Sequence, residues 1–135
     1  ENLKLEKAGR NPLALEYCYQ CTGRHIRVDG AWNKGDKGSG YVRFSKTFNS
    51  TLEDLEVTGV RHLVFQWSAA NNRVSVASLG VDVNFHGGYS QLNRVENVEF
   101  RLPPYHHWQT ITRTPEDAHW APPDGPGNEV VEVQR

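Results

Sequence analysis

Alternation of apolar and polar residues between positions 57 and 85 is the feature that most restricts how this chain can fold. Within residues 60–67 one parity is apolar and holds Leu63, Phe65 and Trp67. The same alternation returns in residues 74–85. A period of two is typical of β-strands that have one face on a core and the other toward water. The middle of the chain is therefore predicted to form several β-strands in succession.

Two short segments separate these strands. Asn71-Asn72 and Leu79-Gly80 interrupt the alternation, and Asn and Gly are the residues that most readily adopt the positive φ of a tight reversal. Strands joined by tight reversals run antiparallel. The sequence therefore predicts an antiparallel meander at mid-chain.

Further strand candidates lie on both sides of this meander. They are residues 2–6, 13–20, 24–29, 41–48, 95–102, 109–113 and, as a closing edge strand, 129–133. Residues 52–56 fit either one helical turn or an edge strand. A bulge is expected at Asn97, because Val95 falls on the wrong parity for an unbroken pleat. No internal repeat is evident.

About ten short strands with almost no helical periodicity indicate an all-β protein. An antiparallel β-sandwich of the jelly-roll or Greek-key type is favoured, since the long connections 29–40 and 86–94 suit crossings between sheets. The length of 135 residues fits a single domain. Its core is expected in residues 1–113. Residues 114–128 contain four of the seven prolines and predict an arm, either extended over the body or disordered.

Charge and composition exclude several classes of function. The net charge is −1, with basic and acidic residues mixed along the chain, so neither nucleic acid nor an anionic membrane is an expected partner. No segment is apolar enough for a membrane-spanning helix. The chain begins at Glu1 and contains no Met, which suggests that a leader or a tag was removed. With the glycosylation acceptor Asn49-Ser50-Thr51, this predicts a secreted, extracellular protein.

The two cysteines form a C-x-x-C motif, Cys18 to Cys21, which His25 extends. A structural zinc site would need a second pair of ligands, and a redox site would need a helix N-terminus. A turn at residues 19–20 would allow a local disulfide. A disulfide and free structural thiols are the two main expectations, and no metal or other cofactor is expected.

The six histidines offer candidates for acid–base pairs. A metal-free nuclease would use two imidazoles, or a Glu and a His, with an Arg for the phosphate. The candidates are His62 with Arg61, Glu99 with Arg101, and His106 or His107. His106, His107, Asp117 and His119 include metal-ligand types, but consecutive strand residues face opposite ways. Neither a nucleophile elbow nor a phosphate-binding loop is present.

Aromatic residues outside the predicted core point to binding. They fall in segments expected to be loops or strand ends, beside polar side chains; the candidate ligand-binding residues are Trp32, Asn33, Tyr105, His106, His107, Trp108 and Trp120. Aromatic planes of this kind stack on sugars or anchor protein interfaces. Each Trp could equally cover the edge of the core.

The sequence therefore favours a secreted binding protein without catalytic residues of its own. Its partner would be a glycan, as for a carbohydrate-binding module, or a host protein, as for a small virulence effector. A metal-free nuclease that uses His, Glu and Arg is the alternative.

Overall fold

The computed structural model describes residues 1–133, which form eleven β-strands. The strands are β1 (Leu3–Ala8), β2 (Leu13–Glu16), β3 (Thr22–Ala31), β4 (Tyr41–Ser45), β5 (Thr51–Thr58), β6 (His62–Gln66), β7 (Arg73–Leu79), β8 (Val83–Phe85), β9 (Arg94–Val98), β10 (Ile111–Arg113) and β11 (Glu129–Glu132). The all-β class predicted from the alternation is confirmed. Residues 52–56 lie in β5, an interior strand of its sheet.

The strands alternate between two sheets. Sheet 1 has the order β1-β3-β5-β7-β9-β11, sheet 2 has the order β10-β8-β6-β4-β2, and each pair of neighbouring strands is parallel. Each turn of the chain therefore adds one strand to each sheet. The result is a parallel β-helix, in which successive coils stack on one another.

The predicted antiparallel sandwich or jelly roll is wrong. Alternation of period two looks the same in parallel and antiparallel strands, so it could not distinguish them. The segments taken for hairpin turns are corners of the coil. Asn71 has a φ of 57° at a corner, and Gly80 N donates to Val57 O of the previous coil at 2.7 Å.

The core lies between the inner faces of the two sheets. Phe65 stacks on Phe44 and Phe85, with ring centroids 4.8 and 5.6 Å apart, and all three are fully buried. They are also direct partners in the parallel register of sheet 2. Equivalent positions of successive coils thus carry the same kind of side chain, which is a structural repeat that the sequence did not make evident.

Buried amides connect the coils at one corner. Ser50 N donates to Asn72 Oδ1 at 3.0 Å, and Asn72 Nδ2 donates to Asn93 Oδ1 at 2.9 Å. Asn93 Nδ2 in turn donates to Asn128 Oδ1 at 2.9 Å. The ladder satisfies backbone and side-chain groups that the corner buries away from water.

The proline-rich segment completes the last coil. Gly88 N, Tyr89 N and Leu92 N donate to the carbonyl oxygens of Pro122, Pro123 and Pro126, at 2.9 to 3.0 Å. Proline lacks a donor but keeps its acceptor, so the previous coil supplies the N–H groups. The segment is an ordered extension of the β-helix.

The bulge predicted at Asn97 is confirmed. Asn97 has a φ of 56°, and the register between β9 and β11 shifts at that point. Among the described residues, no helix is long and apolar enough to cross a membrane.

Candidate functional site

A groove of about 760 Å³ crosses the outer face of sheet 2. Because side chains alternate along each strand, the residues between the core positions point outward into it. Its floor is formed by amide and hydroxyl side chains from β6, β8, β10 and the residue that follows β10: Gln66, Asn84, Thr112 and Thr114. The volume is within the range of about 300–1,000 Å³ that is typical of small-ligand sites.

Aromatic side chains form the walls of this groove, which are lined by Tyr41, Trp67, Trp108 and Trp120. The parity of Trp67 predicts a core residue, but Trp67 has a φ of 48° at the corner after β6 and is 39% exposed. Backbone of the next coil lies close to Trp67, since a Cβ on Gly88 would come within 2.7 Å of Trp67 Cα. Trp67 is therefore fixed at the rim.

Five cationic side chains also line the groove: Arg10, Lys37, Arg43, Arg61 and Arg113. Arg10 donates to Ser39 Oγ at 2.8 Å, and Arg113 donates to Asn128 O at 3.1 Å. Arg43 pairs with Glu16, which lies beyond the lining residues. No Asp or Glu among the described residues lines the groove itself.

The charges on the outer face of sheet 1 are arranged differently. Arg24 pairs with Glu53 at 3.1 Å, and Arg27 pairs with Glu56 at 2.9 Å. Glu96 accepts from arginines on two strands, and these hydrogen bonds lower its pKa. These sheet 1 arginines are thus paired with carboxylates on the same or a neighbouring strand, whereas most cations of the groove contact uncharged oxygens.

A buried histidine–carboxylate pair stands at one side of the groove. His62 Nδ1 lies 2.8 and 3.0 Å from the two oxygens of Asp82, which is fully buried. Thr112 Oγ1 donates to the same carboxylate at 3.2 Å. Asp82 therefore holds the hydrogen of His62 on Nδ1, which leaves Nε2 as the acceptor nitrogen. Arg61 Nε donates to this Nε2 at 3.3 Å.

The connection between β9 and β10 folds over this pair. The Trp108 ring lies edge-on to His62, with centroids 4.6 Å apart, and the Arg61 guanidinium lies 5.1 Å from the Trp108 ring. His106 Nε2 is 3.1 Å from Asp82 Oδ1, but its angle falls short of a hydrogen bond. Burial lowers the pKa of His106 despite the nearby Asp82 charge.

A second histidine, His86, lines the opposite side of the groove. Burial is the largest cause that lowers its pKa, and the charge of Arg61 lowers it further. A lowered pKa keeps the imidazole neutral at pH 7. Its Nδ1 is buried with no hydrogen-bond partner among the described residues.

The structure separates the aromatic residues that the sequence grouped together. Trp108 and Trp120 line the groove, and the His107 ring lies on Trp108 at 3.7 Å. The His106 side chain is buried, and its ring centroid lies 5.3 Å from that of Trp108. The other candidates lie outside the groove: Trp32 is 78% exposed, Asn33 Nδ2 donates to Asp36 at 2.9 Å, and Tyr105 has Lys34 Nζ 5.8 Å from its ring centre.

The cysteines and the acceptor Asn49 lie away from the groove. Cys18 and Cys21 are free thiols, which is one of the two states expected from their spacing. The hydrogen bond to Cys21, followed by burial, raises the pKa of Cys18. Asn49 is exposed at a corner, with a φ of 52°.

Two other sequence candidates are also placed by the structure. The Arg101 Nη2–Glu99 Oε1 distance is 3.3 Å, and neither residue lines the groove. Within residues 1–133, no group of three or more His, Cys, Asp or Glu side chains is arranged to hold a metal ion. The nuclease candidates that do reach the groove are therefore His62 and Arg61.

Sequence reasoning missed Arg43, Trp67, Asn84 and His86. The signal that could have found them is the spacing between coils. Outward residues 20 to 21 positions apart, such as Arg43, Val64 and Asn84, are direct partners in sheet 2 and so lie side by side on its outer face.

Comparisons with protein-family models, with curated proteins and with solved structures found no match to this chain.

Proposed function

We propose that the protein binds an acidic oligosaccharide, one that carries carboxylate or sulfate groups, in the groove on sheet 2. The observation that carries this proposal is the composition of the groove: five cations, four aromatic rings and no lining carboxylate among the described residues. The ligand would be an extracellular glycan, in keeping with the exposed acceptor at Asn49.

Each part of the groove suits one part of such a ligand. The indoles of Trp67 and Trp120 offer flat surfaces for the apolar faces of sugar rings. The amides and hydroxyls of the floor can exchange hydrogen bonds with sugar hydroxyls. The guanidinium groups match the planar geometry of a carboxylate or sulfate.

A nucleic acid would also meet cations and aromatic rings here, but the rest of the molecule does not favour it. Nucleic-acid binding normally uses an extended basic surface. The outer face of sheet 1 is neutralised by its own ion pairs, and the chain carries a net charge of −1. The basic character is thus confined to one groove of small-ligand size.

The proposal is tested by calorimetric titration with four probes of similar length. These are an oligogalacturonate, a sulfated chondroitin oligomer, a neutral cello-oligosaccharide and a single-stranded RNA. We expect one of the acidic sugars to bind tightest, with an affinity that falls as salt is added, because salt screens charges on a scale of about 8–10 Å.

Paired variants locate the binding. Trp120→Ala should weaken binding about tenfold, since burial of a large apolar side chain contributes at least ~1.5 kcal/mol. Trp32→Ala removes an indole that is even more exposed and lies outside the groove, and it should have no effect. Tightest binding of RNA or of the neutral sugar would overturn the proposal. No binding of either acidic sugar would also overturn the proposal, and this is the result expected if a host protein were the partner. Equal effects of Trp120→Ala and Trp32→Ala would overturn it as well.

A further inference from the structure

Asp82, His62 and Arg61 form a chain of polar contacts that begins in the interior and ends in the groove. Asp82 is fully buried and does not line the groove, whereas His62 and Arg61 do. A buried carboxylate that holds Nδ1–H fixes both the tautomer and the orientation of an imidazole. The nitrogen left as an acceptor, Nε2, receives a hydrogen bond from Arg61 Nε at 3.3 Å.

Arg61 is itself held in place. Its Nη1 donates to Gly35 O at 2.8 Å, and its guanidinium packs against the Trp108 ring. A base and a cation are therefore fixed side by side at one edge of the groove. A cation near the point where negative charge develops stabilises the transition state.

We propose that the groove cleaves a uronate-containing oligosaccharide by β-elimination, with His62 as the general base, Asp82 as its positioning residue and Arg61 as the carboxylate-binding cation. This inference rests on the acidic-oligosaccharide binding proposed above. It narrows the ligand to a sugar acid. Of the carboxylate and sulfate groups proposed above, only the carboxylate acidifies the hydrogen on the carbon next to it.

The step balances without a further reagent. The substrate carboxylate takes the Arg61 Nε hydrogen bond away from His62 Nε2, which frees the Nε2 lone pair. Nε2 then takes the hydrogen from the carbon next to the carboxylate, and Arg61 stabilises the negative charge that develops on the carboxylate. The electron pair of the broken C–H bond forms a double bond to the next carbon, and the glycosidic C–O bond on that carbon breaks. The leaving oxygen takes the proton from His62, which restores the neutral imidazole.

The first experiment uses the wild-type protein and oligogalacturonate. We expect an ultraviolet absorbance from the new double bond, conjugated with the carboxylate, and one new reducing end for each double bond. If oligogalacturonate binds but neither signal appears, elimination is refuted and the binding proposal stands. If no acidic sugar binds, both proposals fail. Reducing ends without the absorbance would show hydrolysis and would also refute elimination.

Variants then assign the roles. His62→Ala should lower kcat about 10²–10⁴-fold, the usual contribution of a general base, and added imidazole should restore part of it. Asp82→Asn places a donor against Nδ1 and moves the hydrogen to Nε2. This variant should lose kcat to a similar extent with little change in KM, and imidazole should not rescue it.

Two controls keep these results interpretable. Each variant is checked by thermal unfolding, and His62→Gln replaces His62→Ala if the latter does not fold. Trp32→Ala should retain wild-type kcat, since Trp32 does not line the groove. Wild-type turnover by folded His62→Gln, or rescue of Asp82→Asn by imidazole, would overturn the assignment.

Discussion

Replacement of Asn93 by alanine tests the amide ladder that joins the coils. Asn93 Nδ2 donates to Ala69 O and to Asn128 Oδ1, both at 2.9 Å. Its Oδ1 accepts from Asn72 Nδ2 at 2.9 Å and from Asn72 N at 3.3 Å. Alanine removes all four hydrogen bonds, each contributing about 0.5–1.5 kcal/mol net, and leaves Asn72 N buried without a partner. Ala69 O, Asn128 Oδ1 and Asn72 Nδ2 keep their bonds to Gln91 N, Asn93 N and Thr47 O. The total loss is therefore about 3–5 kcal/mol.

The assay is reversible unfolding in urea together with a thermal scan. For a domain of this size, the expected loss corresponds to a Tm about 10–15 °C lower, at roughly 3–4 °C per kcal/mol. Asn33→Ala is the matched control, because the Asn33 side chain bonds only to Asp36 among the described residues and lies in a surface loop, and it should cost less than about 1 kcal/mol. A loss below 1 kcal/mol for Asn93→Ala would refute the role given to the ladder.

Three further predictions concern the core and two titrating groups. Phe65→Ala should cost about 3–5 kcal/mol in urea unfolding, since the ring is buried between two other phenylalanines; a cost near 1 kcal/mol would contradict that packing. Arginine hydrogen bonds lower the pKa of Glu96. The wild-type protein should therefore be more stable than Glu96→Gln above the unfolded-state pKa of about 4.3, and should lose this advantage as the pH falls through the lower pKa of the folded state. A stability difference that does not change with pH would argue against this contribution. Burial lowers the pKa of His86. As the pH is lowered below the unfolded-state pKa of about 6.5, the wild-type protein should lose stability, and more steeply than His86→Asn. Equal slopes of stability against pH for the two proteins would exclude this contribution.

The position of the strands was predictable because burial on one face imposes the period of two locally. The run that contains Leu63 and Phe65 lies in β6, with both residues buried. The bulge at Asn97 was also visible, since a break in parity is a local property. The relative direction of neighbouring strands was not predictable, because the alternation within a strand is the same whether its neighbour runs parallel or antiparallel.

The corners explain both the wrong topology and the incomplete site. Asn71 and Trp67 both have positive φ, and a residue with positive φ can reverse a hairpin or turn the corner of a coil. The groove depends on which strands are neighbours in space. Trp108 was found as an aromatic residue near a strand end, but the contact of His62 with Asp82 required the parallel register of sheet 2.

The most direct test of the account is a chemical-shift map of the protein titrated with oligogalacturonate. We predict that shifts of backbone amides and indole N–H groups concentrate on β4, β6, β8 and β10, and on Trp67, Trp108 and Trp120. The outer face of sheet 1, around Arg27 and Glu96, should remain unchanged. Shifts centred on sheet 1, or shifts at Trp32 without any at Trp120, would contradict the groove as the binding site.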